Sequence, residues 1–122
     1  MILISSLAKL DPVIYHKSSC ITCKKALNEI ERLKIDIQTR DFFKEPFSEA
    51  ELIKIIKLSG LNPKELLRKR DKMYKELDLE NSTQKDNEII KLMAEFPGLI
   101  KRPIIIKQNK VQIGKIDVKN LK

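Results

Sequence analysis

The stretch Val13-Ile14-Tyr15-His16-Lys17-Ser18-Ser19-Cys20-Ile21-Thr22-Cys23 decides the fold. Its first four residues favour extended backbone and read as a short buried strand. A helical pattern begins just past Cys20. Ala26, Leu27, Ile30 and Leu33 form one apolar stripe, while Lys24, Lys25, Asn28, Glu29 and Arg32 fall on the other face. Ile35-Asp36-Ile37-Gln38-Thr39-Arg40 then alternates with period two, as a half-buried strand does. Strand, helix and strand within about thirty residues make a βαβ unit, which implies a parallel pair.

Working outward, the middle of the chain reads as helical. Ser48-Glu49-Ala50-Glu51 is a capping box ahead of Leu52, Ile53, Ile55 and Ile56, and Gly60 ends that helix. Asn62-Pro63-Lys64-Glu65 predicts a second helix, with Asn as cap and Pro in the first position. Glu80 to Gln84 reads as a loop. Asp86 is placed to cap a third helix carrying Ile89, Ile90, Met93 and Phe96, stopped by Pro97-Gly98. The end reverts to strand. Pro103-Ile104-Ile105-Ile106 and Val111-Gln112-Ile113 flank a turn at Gln108-Asn109-Lys110, which predicts an antiparallel hairpin. The residues after Gly114 carry no clear pattern. The expected fold class is α/β, a mixed sheet made of the βαβ unit and the C-terminal hairpin. One domain is expected over 1–122, with 1–11 as an extension and about 44–97 as a helical insertion.

Bulk properties narrow the function. The chain has 122 residues and is 42% apolar, enough for one core. No run nears the roughly 18 apolar residues of a membrane span. Met1 to Asp11 lacks a basic start and a small-residue cleavage site, so it does not read as a signal peptide. The net charge of +8 comes from lysines spread along the whole chain. With 5% aromatics and no Trp there is no stacking platform for single strands, and direct nucleic-acid binding ranks last. The two cysteines, Cys20 and Cys23, stand three apart. They cannot staple distant segments. They suit a redox motif in a reducing, cytoplasmic setting. With one His and no second cysteine pair, a zinc site lacks ligands, and no metal is expected.

The position of Cys20 matters more than the motif. A helix start leaves unpaired N–H groups and a partial positive charge, which favour a thiolate. The thiolate is the reactive species. Cys20 is the candidate nucleophile. Cys23, one turn later, is within reach of a disulfide and is the candidate resolving thiol. Lys17, Lys24 and Lys25 are positioned to add positive field. His16 either shapes the ionisation of Cys20 or faces solvent at the strand end.

These residues resemble the arsenate reductase family of thioredoxin-like proteins, which also contains the Spx-type redox regulators. Tyr15-His16-Lys17-Ser18-Ser19-Cys20 is similar to the family's nucleophile loop. Leu66-Leu67-Arg68-Lys69 is similar to its mid-chain arginine motif. Pro97 to Ile106, with Arg102-Pro103 before an apolar strand, is similar to its most distinctive signature. The resemblance implies a thioredoxin-like sheet with a helical insertion, a cis Pro103 beside Cys20, and an oxyanion held by Arg68 and Arg102. A guanidinium fork fits such an anion. The glutathione-coupled reductases carry a third arginine where this chain has Lys115, which keeps the charge and loses the fork. Cys-x-x-Cys and Arg70 are shared with the Spx-type regulators.

Two functions follow from the resemblance. The first is a thiol oxidoreductase. Cys20 attacks a small anionic, arsenate-like or disulfide substrate, no cofactor is bound, and glutathione with glutaredoxin, or thioredoxin, is the external reductant. The second is a redox regulator whose Cys20–Cys23 pair switches binding to RNA polymerase.

Overall fold

The computed structural model describes residues 12–121, so the extension expected over residues 1–11 lies outside them. The chain forms two compact units. Among the described residues, one contains 12–41 together with 102–121, and the other is Phe42–Lys101.

The first unit is built on a four-stranded mixed sheet. Strands β1 (Val13–His16), β2 (Gln38–Asp41), β3 (Ile104–Lys107) and β4 (Lys110–Ile113) lie in the order β2-β1-β3-β4. β1 runs parallel to β2 and antiparallel to β3, and β3 and β4 form the hairpin. Helix α1 (Ile21–Arg32) is the crossover that the parallel pair requires. This is the thioredoxin-like α/β arrangement that the sequence predicts.

One face of that sheet carries the core of the unit. Ile14 and Ile105 meet Ala26 and Ile30 of α1, with Leu27, Leu33, Ile35 and Ile37 packed around them. Val118 and Leu121 belong to the same cluster. They sit on a short 3-10 turn, Val118–Leu121, that the polar sequence there hides. Gln112 folds this tail back. Its Oε1 accepts from the Asp117 N–H at 2.7 Å, and its Nε2 donates to the Asp117 carbonyl at 3.2 Å.

The predicted second strand starts later than its alternation suggests. Residues 33–35 finish α1 instead. Lys34 takes a left-handed conformation with φ of 56°. Its N–H donates to Glu31 O, and the Ile35 N–H reaches back to Ile30 O at 3.1 Å. That pair of bonds is a Schellman stop, with the Ile35–Ile30 contact that accompanies it. The ladder therefore begins only at Gln38. The hairpin turn is also tighter than expected. Gln108 and Asn109 both have positive φ, and Lys110 already pairs with Lys107, so the loop has two residues.

The second unit is helical. Helix α2 (Glu49–Ser59) starts at the predicted box, with Ser48 and Glu51 exchanging bonds at 3.1 and 3.0 Å. It ends at Gly60 in the left-handed region, φ 72°. Leu52, Ile55 and Ile56 are buried, whereas Ile53 is 40% exposed, because it lies about 100° from Leu52 around the helix. α2 packs on the later helix α4 (Asp86–Glu95). Phe42 and Phe47 stack with ring centroids 5.2 Å apart.

The helix predicted from Asn62-Pro63 is only one 3-10 turn, Pro63–Leu66. The backbone bonds say why. Arg68 N–H donates to Leu99 O at 2.7 Å, and Lys101 N–H donates to Leu66 O at 2.9 Å. Leu67 and Ile100 face each other as an antiparallel bridge. A long-range pairing therefore wins over local helix signals, and it buries Leu66, Leu67, Leu99 and Ile100 almost completely. A short helix α3 (Lys72–Glu76) follows, capped by Asp71, whose Oδ2 accepts from Met73 N–H at 3.0 Å. The stretch read as a loop from Glu80 overlaps another 3-10 turn, Leu79–Asn81, anchored by buried Leu79. Helix α4 begins at Asp86 itself rather than after it. Glu88 reaches back to accept from Lys85 N–H at 3.2 Å.

Two substitutions test these backbone readings, with opposite signs. A Cβ at Gly98 would stand 2.6 Å from Asp71 Oδ1. Gly98→Ala is expected to destabilise the protein by about 1–3 kcal/mol, as overpacking does. Lys34→Gly removes a strained left-handed lysine and is expected to stabilise by about 0.5–1 kcal/mol. Urea unfolding of both variants checks this. A neutral Gly98→Ala would remove the close packing of Gly98 on Asp71 as a constraint.

Candidate functional site

The site is assembled where β1 hands over to α1. His16 ends β1, buried, in register with Asp41 of the parallel neighbour. The loop that follows is held at both ends. Ser18 donates through its N–H and its hydroxyl to Asp41 Oδ2, at 3.2 and 2.5 Å. Cys20 N–H closes a turn onto Lys17 O at 3.0 Å. Asp41 carries only a weak signal in the sequence, an acid at a strand end with a Ser-Ser pair elsewhere in the chain, so its role is visible only in the fold.

Cys20 is the N-cap residue of α1, with extended backbone (φ −81°, ψ 126°) and its carbonyl accepting from Lys24 N–H at 2.9 Å. Its side chain is partly exposed. It makes no capping hydrogen bond of ordinary geometry. Cys23, at the third helical position, is fully buried. Lys17 contributes here through its backbone, whose N–H donates to Cys23 Sγ at 3.4 Å. Lys24 and Lys25 are exposed on the helix surface. Both thiols are free.

The two sulfurs have opposite electrostatics. Partial burial pushes the Cys20 thiol up, but the Cys23 N–H and thiol and the Arg102 guanidinium outweigh it, and its pKa falls to about 7. Burial pushes the Cys23 thiol up to about 11. The Lys17 N–H opposes that shift, the charge on Cys20 adds to it, and the more distant Arg102 charge opposes it. One cysteine is thus set to ionise near neutrality and its neighbour to stay protonated. Separating two coupled thiols in this way gives one nucleophile and one proton-bearing partner.

Arg102 reaches Cys20 because the chain turns sharply into β3. The Arg102–Pro103 peptide bond is cis, as the resemblance implies, and Pro103 is buried. The Pro103 carbonyl accepts from Gly114 N–H at 2.8 Å, which continues the β3–β4 ladder by one bond. Lys115 follows, exposed, after Gly114 has turned the chain with φ of 77°.

The sheet unit therefore brings Cys20, Cys23 and Arg102 together. Arg68 and Arg70 belong to the helical unit, between the 3-10 turn and α3. Arg68 is half-buried on the extended segment that pairs with Leu99, and Arg70 is exposed. Among the described residues, no three His, Cys, Asp or Glu side chains stand together as a metal site. Among them, too, no helix is long and apolar enough to cross a membrane.

Comparison with known proteins agrees with this architecture. The family model described as "ArsC family" matches residues 15–118. The global transcriptional regulator Spx of Bacillus subtilis is 31% identical over 101 residues, spanning 83% of this chain and 77% of that protein. The Escherichia coli protein YfgD is 30% identical over 103 residues, 84% and 87% of the two chains. Among solved structures, an arsenate reductase from Vibrio cholerae superposes with a TM-score of 0.79 at 31% identity, covering 86% of this chain and 90% of that one. An ArsC-family-related protein from Bacteroides fragilis gives 0.82 at 28% identity, over 92% and 99%. With the family model spanning the nucleophile loop, the insertion and the Arg-Pro strand, this chain belongs to the ArsC family, the arsenate reductase family that includes the Spx-type proteins.

Proposed function

We propose that this protein is a thiol-dependent oxidoreductase in which Cys20 is the nucleophile. The observation that carries the reading is the guanidinium of Arg102 set against a cysteine at the first turn of α1. A pure structural pair of thiols has no need of a fixed cation. The substrate is a small oxyanion of the arsenate type or a disulfide. Arg102, with Lys115 as a further candidate, binds the anion. In the oxyanion case, the thiolate bonds to the central atom, the bond from that atom to one hydroxyl breaks, and the leaving hydroxide takes a proton from solvent to become water. A second thiol then attacks Cys20 Sγ, the sulfur–oxyanion bond breaks, and its electron pair stays on the released, reduced oxyanion. The two sulfurs end as a disulfide.

Cys23 is suited to supply the second thiol. At rest, the charge on Cys20 is one of the influences holding Cys23 protonated. When Cys20 is held in a mixed disulfide its own thiolate charge is gone, and that one influence on Cys23 is lifted, while burial still favours its protonated form. Glutathione with glutaredoxin, or thioredoxin, returns the pair to dithiol by exchange. His16, buried at the end of β1, is a candidate to position the nucleophile loop.

A second reading is favoured by the Spx relative, named a global transcriptional regulator. There, oxidation of Cys20–Cys23 alters a surface that meets RNA polymerase. Capture of polymerase by only one redox form supports it, and equal or no capture by both forms removes it.

The ionisation of Cys20 gives the first check. At pH 7 a thiol with a pKa of about 7 is half ionised, against about 3% at 8.5, a gain of about sixteenfold in thiolate. A less basic thiolate is also a weaker nucleophile, by about fivefold over that interval. The net gain over free cysteine is only about threefold, so the position of the pH profile discriminates better than the rate. Alkylation of Cys20 by iodoacetamide should rise with pH and reach half its plateau near pH 7. Arg102→Leu should move that midpoint upward. A wild-type midpoint at 8.5 would sink the proposed nucleophile.

The second check is turnover. Arsenate and small-disulfide reduction, coupled to glutathione–glutaredoxin or to thioredoxin, should vanish in Cys20→Ser. If Cys23 resolves the intermediate, Cys23→Ser should lose at least about tenfold, as loss of a positioned reactant does. No turnover by the wild type with any donor would overturn the enzyme reading.

A further inference from the structure

A groove of about 520 Å³ opens within the helical unit, and no step of the thiol chemistry uses it. Its volume falls inside the range of small-molecule sites. Its apolar lining is buried Leu67, Tyr74 and Leu79, with half-buried Leu61 at the margin. The three buried residues come from separate pieces of chain. Leu67 lies on the extended segment that pairs with Ile100, Tyr74 on α3, and Leu79 on the 3-10 turn that follows. Polar bonds fix these pieces. Tyr74 Oη donates to Glu80 Oε2 at 2.5 Å, and Lys64 Nζ donates to the Ser82 carbonyl at 2.9 Å. The groove is thus held in shape by the fold itself, and a ligand has less ordering cost to meet.

The charge pattern says what fits. Lys64, Lys69 and Lys101 stand on the lining against Glu65 and Glu80. Both acids are engaged by donors of the protein. Glu65 Oε2 accepts from the Asn62 N–H at 2.7 Å, and Glu80 from the Tyr74 hydroxyl. Among the described residues, no carboxylate pairs with Lys69 or Lys101. Those two lysines leave the antiparallel bridge in opposite directions, Lys69 two residues past Leu67 and Lys101 one past Ile100. The stretch from Lys64 to Lys75 strengthens the positive field, with six basic side chains against two acidic ones. A negative group is therefore favoured over a positive one. The apolar lining favours a ligand with a ring or hydrocarbon body over a bare ion, which would lose its hydration there.

We propose that this groove binds a small organic anion. Its apolar ring or short-chain body lies on Leu67, Tyr74 and Leu79, and its carboxylate, sulfonate or phosphate meets Lys69 and Lys101. The site is separate from the chemistry at Cys20 and holds whether the protein is an enzyme or a regulator.

The probes are 1-anilinonaphthalene-8-sulfonate and uncharged N-phenyl-1-naphthylamine, the same rings without the sulfonate. Both are titrated into the whole protein at fixed ionic strength. The sulfonated dye should bind saturably at a single site and shift the amide signals of Leu67 and Leu79. In Lys69→Gln/Lys101→Gln its affinity should fall about fivefold, the size expected of two exposed charge contacts, while that of the uncharged dye stays the same. Lys54→Gln, at an exposed lysine of α2 outside the groove, should leave both dyes unchanged. Phenyl phosphate and benzoate then compete for the site. Displacement by either supports it and names the headgroup it takes, and inorganic phosphate at the same concentration should not displace the dye. No saturable binding, amide shifts confined to other residues, or an undiminished affinity in the double variant overturns the site. So does an equal loss with both dyes, or an equal loss in Lys54→Gln, which marks an effect of overall charge. Displacement by neither organic competitor, or by inorganic phosphate as readily as by phenyl phosphate, overturns the proposed ligand class.

Discussion

A partly exposed sulfur at the first turn of a helix, facing a guanidinium, is the constraint around which this protein is organised. Burial alone would raise both thiols. The arrangement splits them instead. Cys20 sits outside the helix proper, where backbone N–H groups and Arg102 favour charge. Cys23 lies one turn inside, fully buried, where charge is disfavoured. The Ser18–Asp41 and Cys20–Lys17 bonds hold the loop after β1 that sets Cys20 at the helix cap, three positions before the buried one that Cys23 occupies.

The rest of the sheet unit serves that junction. The parallel β1–β2 pair requires the crossover helix whose first turn carries the thiols. The antiparallel β1–β3 pair brings the Arg102–Pro103 bend up to it. The β3–β4 hairpin leads into Lys115, and Gly114 before it is tied by its N–H to the Pro103 carbonyl. A central strand with different partners on its two edges thus supplies both the nucleophile and the cation. This economy explains how a sheet of four four-residue strands frames a site.

The helical unit follows a different logic. Its bounds are set by one long-range event, the pairing of residues 66–68 with 99–101. That pairing closes a loop of about thirty residues, a cost that grows only slowly with length. Four nearly fully buried side chains, Leu66, Leu67, Leu99 and Ile100, offset it. Arg68 sits at this closure because its N–H is one of the bonds that make it. Family kinship does not choose between enzyme and regulator, since proteins of both descriptions are similar to this chain over most of its length.

The sequence by itself determined whatever rests on local periodicity and local chemistry. Val13–His16 as strand, the α1 stripe, the Ser48 box, the Gly60 stop and the hairpin all follow from residues within one or two turns of each other. The thiol pair was equally visible, because a Cys-x-x-Cys after a strand needs no distant partner to be noticed. Tertiary structure decided the rest. Asn62-Pro63 signals a helix, yet Leu67 is extended because Ile100 pairs with it from over thirty residues away. Ile35 alternates like a strand residue, yet it completes a helix stop. Val118 and Leu121 look like a polar tail, yet they close the core. The separation of two chemically identical thiols was hidden for the same reason. Ionisation depends on burial and on a cation some eighty positions along the chain, and neither is a property of the residues beside the sulfur.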